Sequence, residues 1–243
     1  MNYHDIPDTY ELEVMRVVDK FVGKGDHVID AGASVGFFTR MCSRLVGNEG
    51  RIFSFEPNLE SFVSLEKNVK KYGMTNVQIF RQALWSKPLP EIRLWSVAEI
   101  GYTSVCQYIN TDSTSEVVEA VTLDDVIPAD LHVRFMKIDC ELAEFEILRG
   151  AKMLLQRGVD CVVLEFNYHL MKQNGISDHI IRDYMADFGY DMFLINIGGS
   201  KDGEFSDPVM VGPKVEMEVK GQEIHHMNVM FSKENRVREL WAQ

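Results

Sequence analysis

The sequence predicts an α/β fold: a mostly parallel, twisted sheet with helices on both faces, an antiparallel last strand and an inserted β-hairpin. Three observations predict it. Short apolar runs alternate with segments of helical spacing along most of the chain, and that alternation builds a parallel sheet covered on both sides. Several of the runs end in an acid, at Asp30, Glu56, Asp139 and Glu165. In such sheets ligands sit beyond the carboxyl ends of the strands, so one cleft can collect all of them. Finally, 91–96 and part of 104–109 alternate apolar and polar residues, the pattern of antiparallel strands with one solvated face. The 243 residues, 46% hydrophobic, suffice for one full-sized core. They read as a single domain over 1–243, with a leading helix in about 1–24 and the inserted hairpin at about 88–110.

Taken in order, 8–22 place Leu12, Met15, Val18 and Phe21 at helical spacing, with Asp8 or Thr9 as N-cap and Gly23 or Gly25 as stop. A buried strand ends at Asp30, and a helix spans 35–46. The next strand covers 51–55, followed by a helix over 59–72 that Asn58 caps and Gly73 ends. Residues 76–84 form a third strand, and 117–125 lead back from the hairpin into the main fold. A strand at 135–139 is followed by a helix over 141–155, with Phe145, Leu148, Ala151 and Leu155 at helical spacing. Then come a strand at 159–166, a helix at 177–188 capped by Ser177, and a last strand pair at 190–195 and 227–231. The long segment 198–222 is rich in Gly, Asp and Lys and reads as a loop or lid.

The chemistry concentrates in Asp30-Ala31-Gly32-Ala33-Ser34-Val35-Gly36. An acid at a strand end followed by two glycines describes a strand, a tight turn and a helix start that bring backbone close to a nucleotide-like ligand. The spacing is not the Gly-x-Gly-x-x-Gly dinucleotide fingerprint. Glu56 ends the following strand, where a carboxylate suits two ribose hydroxyls and repels a phosphate. No Gly-Lys-Ser/Thr loop is present to hold a phosphate. The ligand implied carries a ribose without a phosphate, which favours S-adenosylmethionine over NAD, NADP or ATP.

The totals exclude several classes. A net charge of −12 argues against a nucleic-acid partner, which needs a basic stripe. Cys42, Cys106, Cys140 and Cys161 form no Cys-x-x-Cys pair and suggest reduced, mostly buried thiols. The start lacks the features of a signal peptide, and no apolar run reaches the length of a membrane span. The expectation is a cytoplasmic protein, with a homo-oligomer left open.

Joined in order, 29–39, Phe55-Glu56-Pro57-Asn58, Thr122-Leu123-Asp124-Asp125 and Met136-Lys137-Ile138-Asp139-Cys140-Glu141, with Glu144, Ile147, Leu148, Gly150 and Ala151, resemble the FkbM-type methyltransferases. The resemblance runs from about Asp26 to Phe166, with an echo at 228–231. It implies a Rossmann-like class I methyltransferase fold that uses S-adenosylmethionine, commonly to methylate hydroxyls of sugars or polyketide-type small molecules. By this resemblance and the strand-end positions, Asp30, Gly32 and Gly36 hold the methionine moiety and ribose, and Glu56 takes the ribose hydroxyls. Gln82 and Ala83 lie near adenine, with Ser34 and Thr39 as further contacts. One position departs from the family: its usual glycine after the acid matching Glu141 is Leu142 here, which puts close backbone approach to a ligand there in question.

Methyl transfer from a sulfonium to a hydroxyl needs the acceptor positioned and its proton handled, by a side-chain base or by a divalent ion. Asp139 and Glu141 are candidates as base or as oxygen ligands of Mg²⁺ or Mn²⁺. Glu144 reads as a carboxylate favouring a helix N-terminus. Glu165 and Asn167, two apart on a strand, face one side and with Asp139 make an all-oxygen metal set. His169 is a candidate base, set against the plainer reading of a surface histidine. His225 and His226 face opposite sides, which argues against joint ligation. Tyr102, Thr103 and Ser104 either line the acceptor site or form an exposed turn. The reading is an O-methyltransferase acting on a sugar, glycan or small natural product. The alternatives are methylation of an amino group or small acid, and a non-catalytic cofactor-binding partner. The sequence also lacks the Asn/Asp-Pro-Pro-aromatic motif of many nucleic-acid methyltransferases.

Overall fold

The computed structural model describes residues 6, 9–97, 102–105, 114–195, 207–212 and 226–242. In chain order these form α1 (Leu12–Phe21), β1 (His27–Ala31), α2 (Phe37–Val46), β2 (Arg51–Phe55), α3 (Leu59–Lys71), β3 (Val77–Phe80) and β4 (Ala83–Leu84). Next come β5 (Leu89–Val97), β6 (Tyr102–Ser104), β7 (Thr114–Val121), α4 (Leu123–Val126), β8 (Phe135–Ile138), α5 (Glu144–Arg149) and α6 (Lys152–Arg157). The remainder is β9 (Cys161–Phe166), α7 (Tyr168–Gln173), α8 (Asp178–Asp187), β10 (Asp191–Leu194), β11 (Val209–Val211), β12 (Met227–Ser232) and α9 (Glu234–Trp241).

The main sheet has the order β11-β10-β12-β9-β8-β1-β2-β3. The run from β3 to β9 is parallel, and β12 joins β9 antiparallel. The predicted mostly parallel sheet with an antiparallel last strand is present. Alternation along the strands sends neighbours to opposite faces, and two hydrophobic clusters result. Ile29, Phe53, Met136 and Leu164 pack on one face, while Val28, Ile52, Phe135 and Val163 pack on the other with α1 and α2. Asp30 and Lys137 are register partners on adjacent central strands, as are Lys137 and Val163. Lys137 therefore shares the α1/α2 face with Phe135 and Val163. Among the described residues, no helix is long and apolar enough to cross a membrane.

Several boundaries differ from the sequence reading, each for a physical reason. The leading helix starts at Leu12, because its N-cap Glu11 sits at φ 45°. Helix α2 starts at Phe37 because Gly36 takes φ 95°. The strand expected over 76–84 divides: β3 stays in the main sheet, while β4 pairs with β7. The insertion is larger than a hairpin at 88–110. It is a second sheet of order β4-β7-β5-β6, with β5 and β7 as its long antiparallel pair. The helix expected over 141–155 begins only at Glu144 and breaks at Gly150, where a Cβ would overlap the carbonyl oxygen of Trp85. Of 198–222 only 207–212 are described, and β11 there pairs antiparallel with β10. Cys106 and His225 lie outside the described residues, and Cys42, Cys140 and Cys161 are free thiols.

Candidate active site

A cavity of about 750 Å³ opens at the carboxyl ends of the central parallel strands. One end is built by the turn after β1. Gly32 sits at φ 82°, and a Cβ there would overlap the carbonyl oxygen of Asp139. Glycine is thus demanded by the neighbouring chain after β8 as well as by any ligand. The amides of Gly32 and Ala33 both donate to the Phe55 carbonyl at 2.9 Å, which pins the turn to the end of β2. Ser34 is held at φ 50°, a left-handed conformation unusual for a non-glycine.

The same turn organises the two acids. Thr39 Oγ1 donates to Asp30 Oδ2 at 2.6 Å and also contacts Ser54 Oγ at 2.8 Å. Burial pushes the Asp30 carboxyl up from its usual range. Glu56 is 6% exposed. Its Oε2 accepts from the Ser34 amide at 2.8 Å and its Oε1 from the Asn58 amide at 2.9 Å. Glu56 lines the cavity, and each of its oxygens has capacity to accept a second hydrogen bond, as a pair of neighbouring hydroxyls would need. Burial raises the Glu56 carboxyl to about 7.

The other end is a knot of charge. Asp139, Glu141 and Glu165 each bring a carboxylate oxygen within 4.8 Å of the others. Lys137 Nζ lies 2.6 Å from Asp139 Oδ2, 3.5 Å from Glu11 Oε2 and 4.9 Å from the centre of the Phe38 ring. Burial alone would raise Asp139, but the Lys137 ammonium outweighs it and holds that carboxyl below its usual range. Glu165 moves the other way. Burial, the Asp139 charge and a hydrogen bond to Asp139 push it well up from its usual range. His226 Nδ1 stands 3.4 Å from Glu165 Oε1.

Glu141 is clamped by its surroundings. Its backbone is left-handed at φ 44°, and Leu142 follows at φ 77°. Ser104 Oγ donates to the Glu141 carbonyl at 2.6 Å, and Asn167 Nδ2 donates to Glu141 Oε2 at 3.2 Å. Burial and the nearby Asp139 charge raise the Glu141 carboxyl to about 7. Consecutive left-handed non-glycine residues store strain, and such strain gathers where a site dictates the backbone. Leu142 thus adopts the conformation glycine favours, with its side chain buried in the core.

Most of the expected residues converge on this cavity. Asp30, Gly32, Ser34, Glu56, Gln82, Ala83, Thr103, Ser104, Asp139, Glu141 and Glu165 line it. Thr39 does not: it is fully buried behind Asp30 and orients that carboxylate. Gly36 is also set back, with a Cβ there reaching 2.7 Å from Leu65 Cδ1, so it serves the packing of α2 against α3. Asn167 braces rather than lines. Its Oδ1 caps α7 by accepting from the Leu170 amide at 3.1 Å, while Glu141, the other oxygen-ligand candidate, joins Asp139 and Glu165 in the acidic group. His169 turns away, exposed on α7, with its Nε2 at 2.8 Å from Gln173 Nε2. That placement removes it as a base for this cavity. Glu144 sits in the first turn of α5, and its Oε1 accepts from the Cys140 amide at 3.0 Å, ahead of the helix. Of Tyr102 the side chain lies outside the described residues. Sequence reasoning missed Lys137, its neighbour Glu11, and Tyr10, which also lines the cavity. The only signal was a lysine inside an apolar strand, two residues before the strand-end acid.

A family model described as the methyltransferase FkbM domain matches residues 30–192. Among solved structures, methyltransferase FkbM from Methylobacillus flagellatus aligns with a TM-score of 0.52 at 12% identity, over 92% of this chain and 55% of that one. A Streptococcus mutans protein solved in complex with SAH aligns with a TM-score of 0.50 at 11% identity, over 93% and 99% of the two chains. At these identities the likeness is one of fold. A Saccharolobus solfataricus protein described as "Probable cobalt-precorrin-6B C(15)-methyltransferase (decarboxylating)" is 32% identical over 73 residues, 30% of this chain. The "tRNA (adenine(58)-N(1))-methyltransferase catalytic subunit TRM61" of Cryptococcus neoformans is 38% identical over 55 residues, 23% of this chain. The matches span 37% and 13% of these two relatives.

Proposed function

The chain belongs to the FkbM methyltransferase family, and from that premise we propose that it transfers a methyl group from S-adenosylmethionine to a hydroxyl of a sugar, glycan or small natural product. The observation that carries this reading is one cavity with Glu56 and the Gly32 turn at one end and the clamped Glu141 at the other. When bound, S-adenosylmethionine supplies a methyl already activated on a sulfonium, so the chain has to place the acceptor and take its proton. Glu56 accepts the ribose hydroxyls, Asp30 and the turn at Gly32–Ser34 hold the methionine side, and Gln82 and Ala83 lie beside adenine. Thr103 and Ser104 line the acceptor side. The proton of the acceptor hydroxyl passes to the Glu141 carboxylate, whose raised pKa of about 7 suits a base working near neutrality. Asn167 and Ser104 keep that carboxylate aimed.

The acceptor is a small molecule rather than a nucleic acid. The chain carries a net charge of −12, and among the described residues lining the cavity Lys137 is the sole basic one. A nucleic-acid acceptor requires positive charge along the backbone path.

The test is calorimetric binding of S-adenosylhomocysteine, followed by mass spectrometry of products from sugars, nucleotide sugars, amines and RNA incubated with labelled S-adenosylmethionine. An O-methyl product is expected. Glu141→Gln should bind S-adenosylhomocysteine like wild type while turnover drops by about 10²–10⁴-fold. An N-methyl product or a methylated RNA would overturn the acceptor assignment. Failure to bind S-adenosylhomocysteine would overturn the reading as a whole.

A further inference from the structure

We propose that the ammonium group of Lys137 fills the cation position of the Asp139–Glu141–Glu165 cluster, so that this site works without a divalent metal ion. The inference rests on reading the cluster as the acceptor end of a methyltransferase site. Three carboxylate oxygens within 4.8 Å of one another are a set that Mg²⁺ or Mn²⁺ could share. A cation already stands against one member of this set. Lys137 Nζ is 2.6 Å from Asp139 Oδ2, and Glu11 Oε2 closes another side at 3.5 Å. The Phe38 ring presents a further cation-attracting surface at 4.9 Å.

The fold gives this ammonium nowhere else to go. Lys137 belongs to β8, flanked by Asp30 on β1 and Val163 on β9, and its side chain is 4% exposed. A side chain rooted in the middle of a parallel sheet cannot swing to solvent as a surface lysine does. A divalent ion among the three oxygens would have to sit against this fixed positive charge and compete with it for Asp139. The ion pair of Lys137 with Asp139 at 2.6 Å thus already commits one of the three carboxylates to a cation fixed by the sheet. Lys137 places positive charge near the acceptor oxygen as its proton leaves, the electrostatic part that a metal ion plays elsewhere.

The test is titration of MnCl₂ into the full chain saturated with S-adenosylhomocysteine, followed by calorimetry and by the loss of free Mn²⁺ signal in electron paramagnetic resonance. Wild type should take up no stoichiometric Mn²⁺, and turnover should be unchanged by EDTA. Lys137→Met and Lys137→Gln, checked for folding by circular dichroism, should each gain a Mn²⁺ site that a second substitution, Asp139→Asn, removes. Stoichiometric Mn²⁺ on wild type that Asp139→Asn abolishes would overturn the proposal. Folded Lys137 variants that take up no Mn²⁺ would overturn it equally. If the Lys137 variants fail to fold, the wild-type titration decides alone. S-adenosylhomocysteine binding, read first, reports on the functional assignment separately from the metal result.

Discussion

Glu56 makes cofactor affinity a function of pH. A ribose diol donates two hydrogen bonds, and only the ionised carboxylate accepts one at each oxygen without a competing proton. Burial holds the Glu56 carboxyl at about 7. Below that value the proton must leave before the diol can bind, so affinity falls as the pH falls. For one group of this kind the dissociation constant weakens about tenfold at pH 6 and about thirtyfold at pH 5.5, and changes only about twofold from pH 7 to 8.5. The assay is calorimetric titration of S-adenosylhomocysteine across that range, repeated in buffers of different ionisation enthalpy. At pH 6.5 binding should release roughly three-quarters of a proton, the share of Glu56 still protonated. Glu56→Gln, with one donor and one acceptor in place of two acceptors, should bind about 10–100-fold more weakly above pH 7 and lose the pH dependence. A wild-type dissociation constant steady within twofold from pH 5.5 to 8 would refute the assignment of Glu56 to the ribose.

Three further outcomes follow from the same geometry. Gly32→Ala forces a Cβ onto the Asp139 carbonyl at φ 82°, and should cost roughly 3 kcal/mol or more in urea unfolding. At Leu142 the usual order of small substitutions should invert, with Leu142→Gly more stable than Leu142→Ala by about 1 kcal/mol, since φ 77° suits only the former. Glu144 is buried with its carboxyl raised to about 8, so the cost of ionising it in the folded state is absent at acid pH and grows as pH climbs from about 4.5 to 8. Wild type should therefore melt at a lower temperature at pH 8.5 than at pH 5.5. Glu144→Gln, which keeps an acceptor for the Cys140 amide, should show a smaller drop.

The cofactor end was legible because its demands are local. Asp30, Gly32 and Glu56 stand at strand ends separated by ordinary helix and turn lengths, and their proposed roles follow from those positions together with the family resemblance. The acceptor end depends on contacts across the sheet, which spacing does not encode. In the sequence Lys137 is one residue of the 136–141 motif with no role assigned, and only the register with Asp30 and the approach of Glu11 reveal its setting. His169 was misplaced because Asn167 caps a new helix that turns the chain away from the cavity. The break at Gly150 was invisible because the reason for it, the Trp85 carbonyl, lies far away along the chain. The division of 76–84 was hidden for the same reason, since β7, the partner of β4, lies more than thirty residues on.

That division has an evolutionary consequence. The chain leaves the main sheet at β4 and returns on β7, and those two strands are paired neighbours, Ala83 beside Ala120 and Leu84 beside Val121. Departure and return are therefore one strand spacing apart, about 5 Å. Any excursion that bridges so small a gap leaves the main sheet undisturbed. Yet the excursion delivers Thr103 and Ser104 to the cavity wall. On the proposed function, new acceptor preferences can be acquired by exchanging one cassette, with the proposed cofactor end inherited intact.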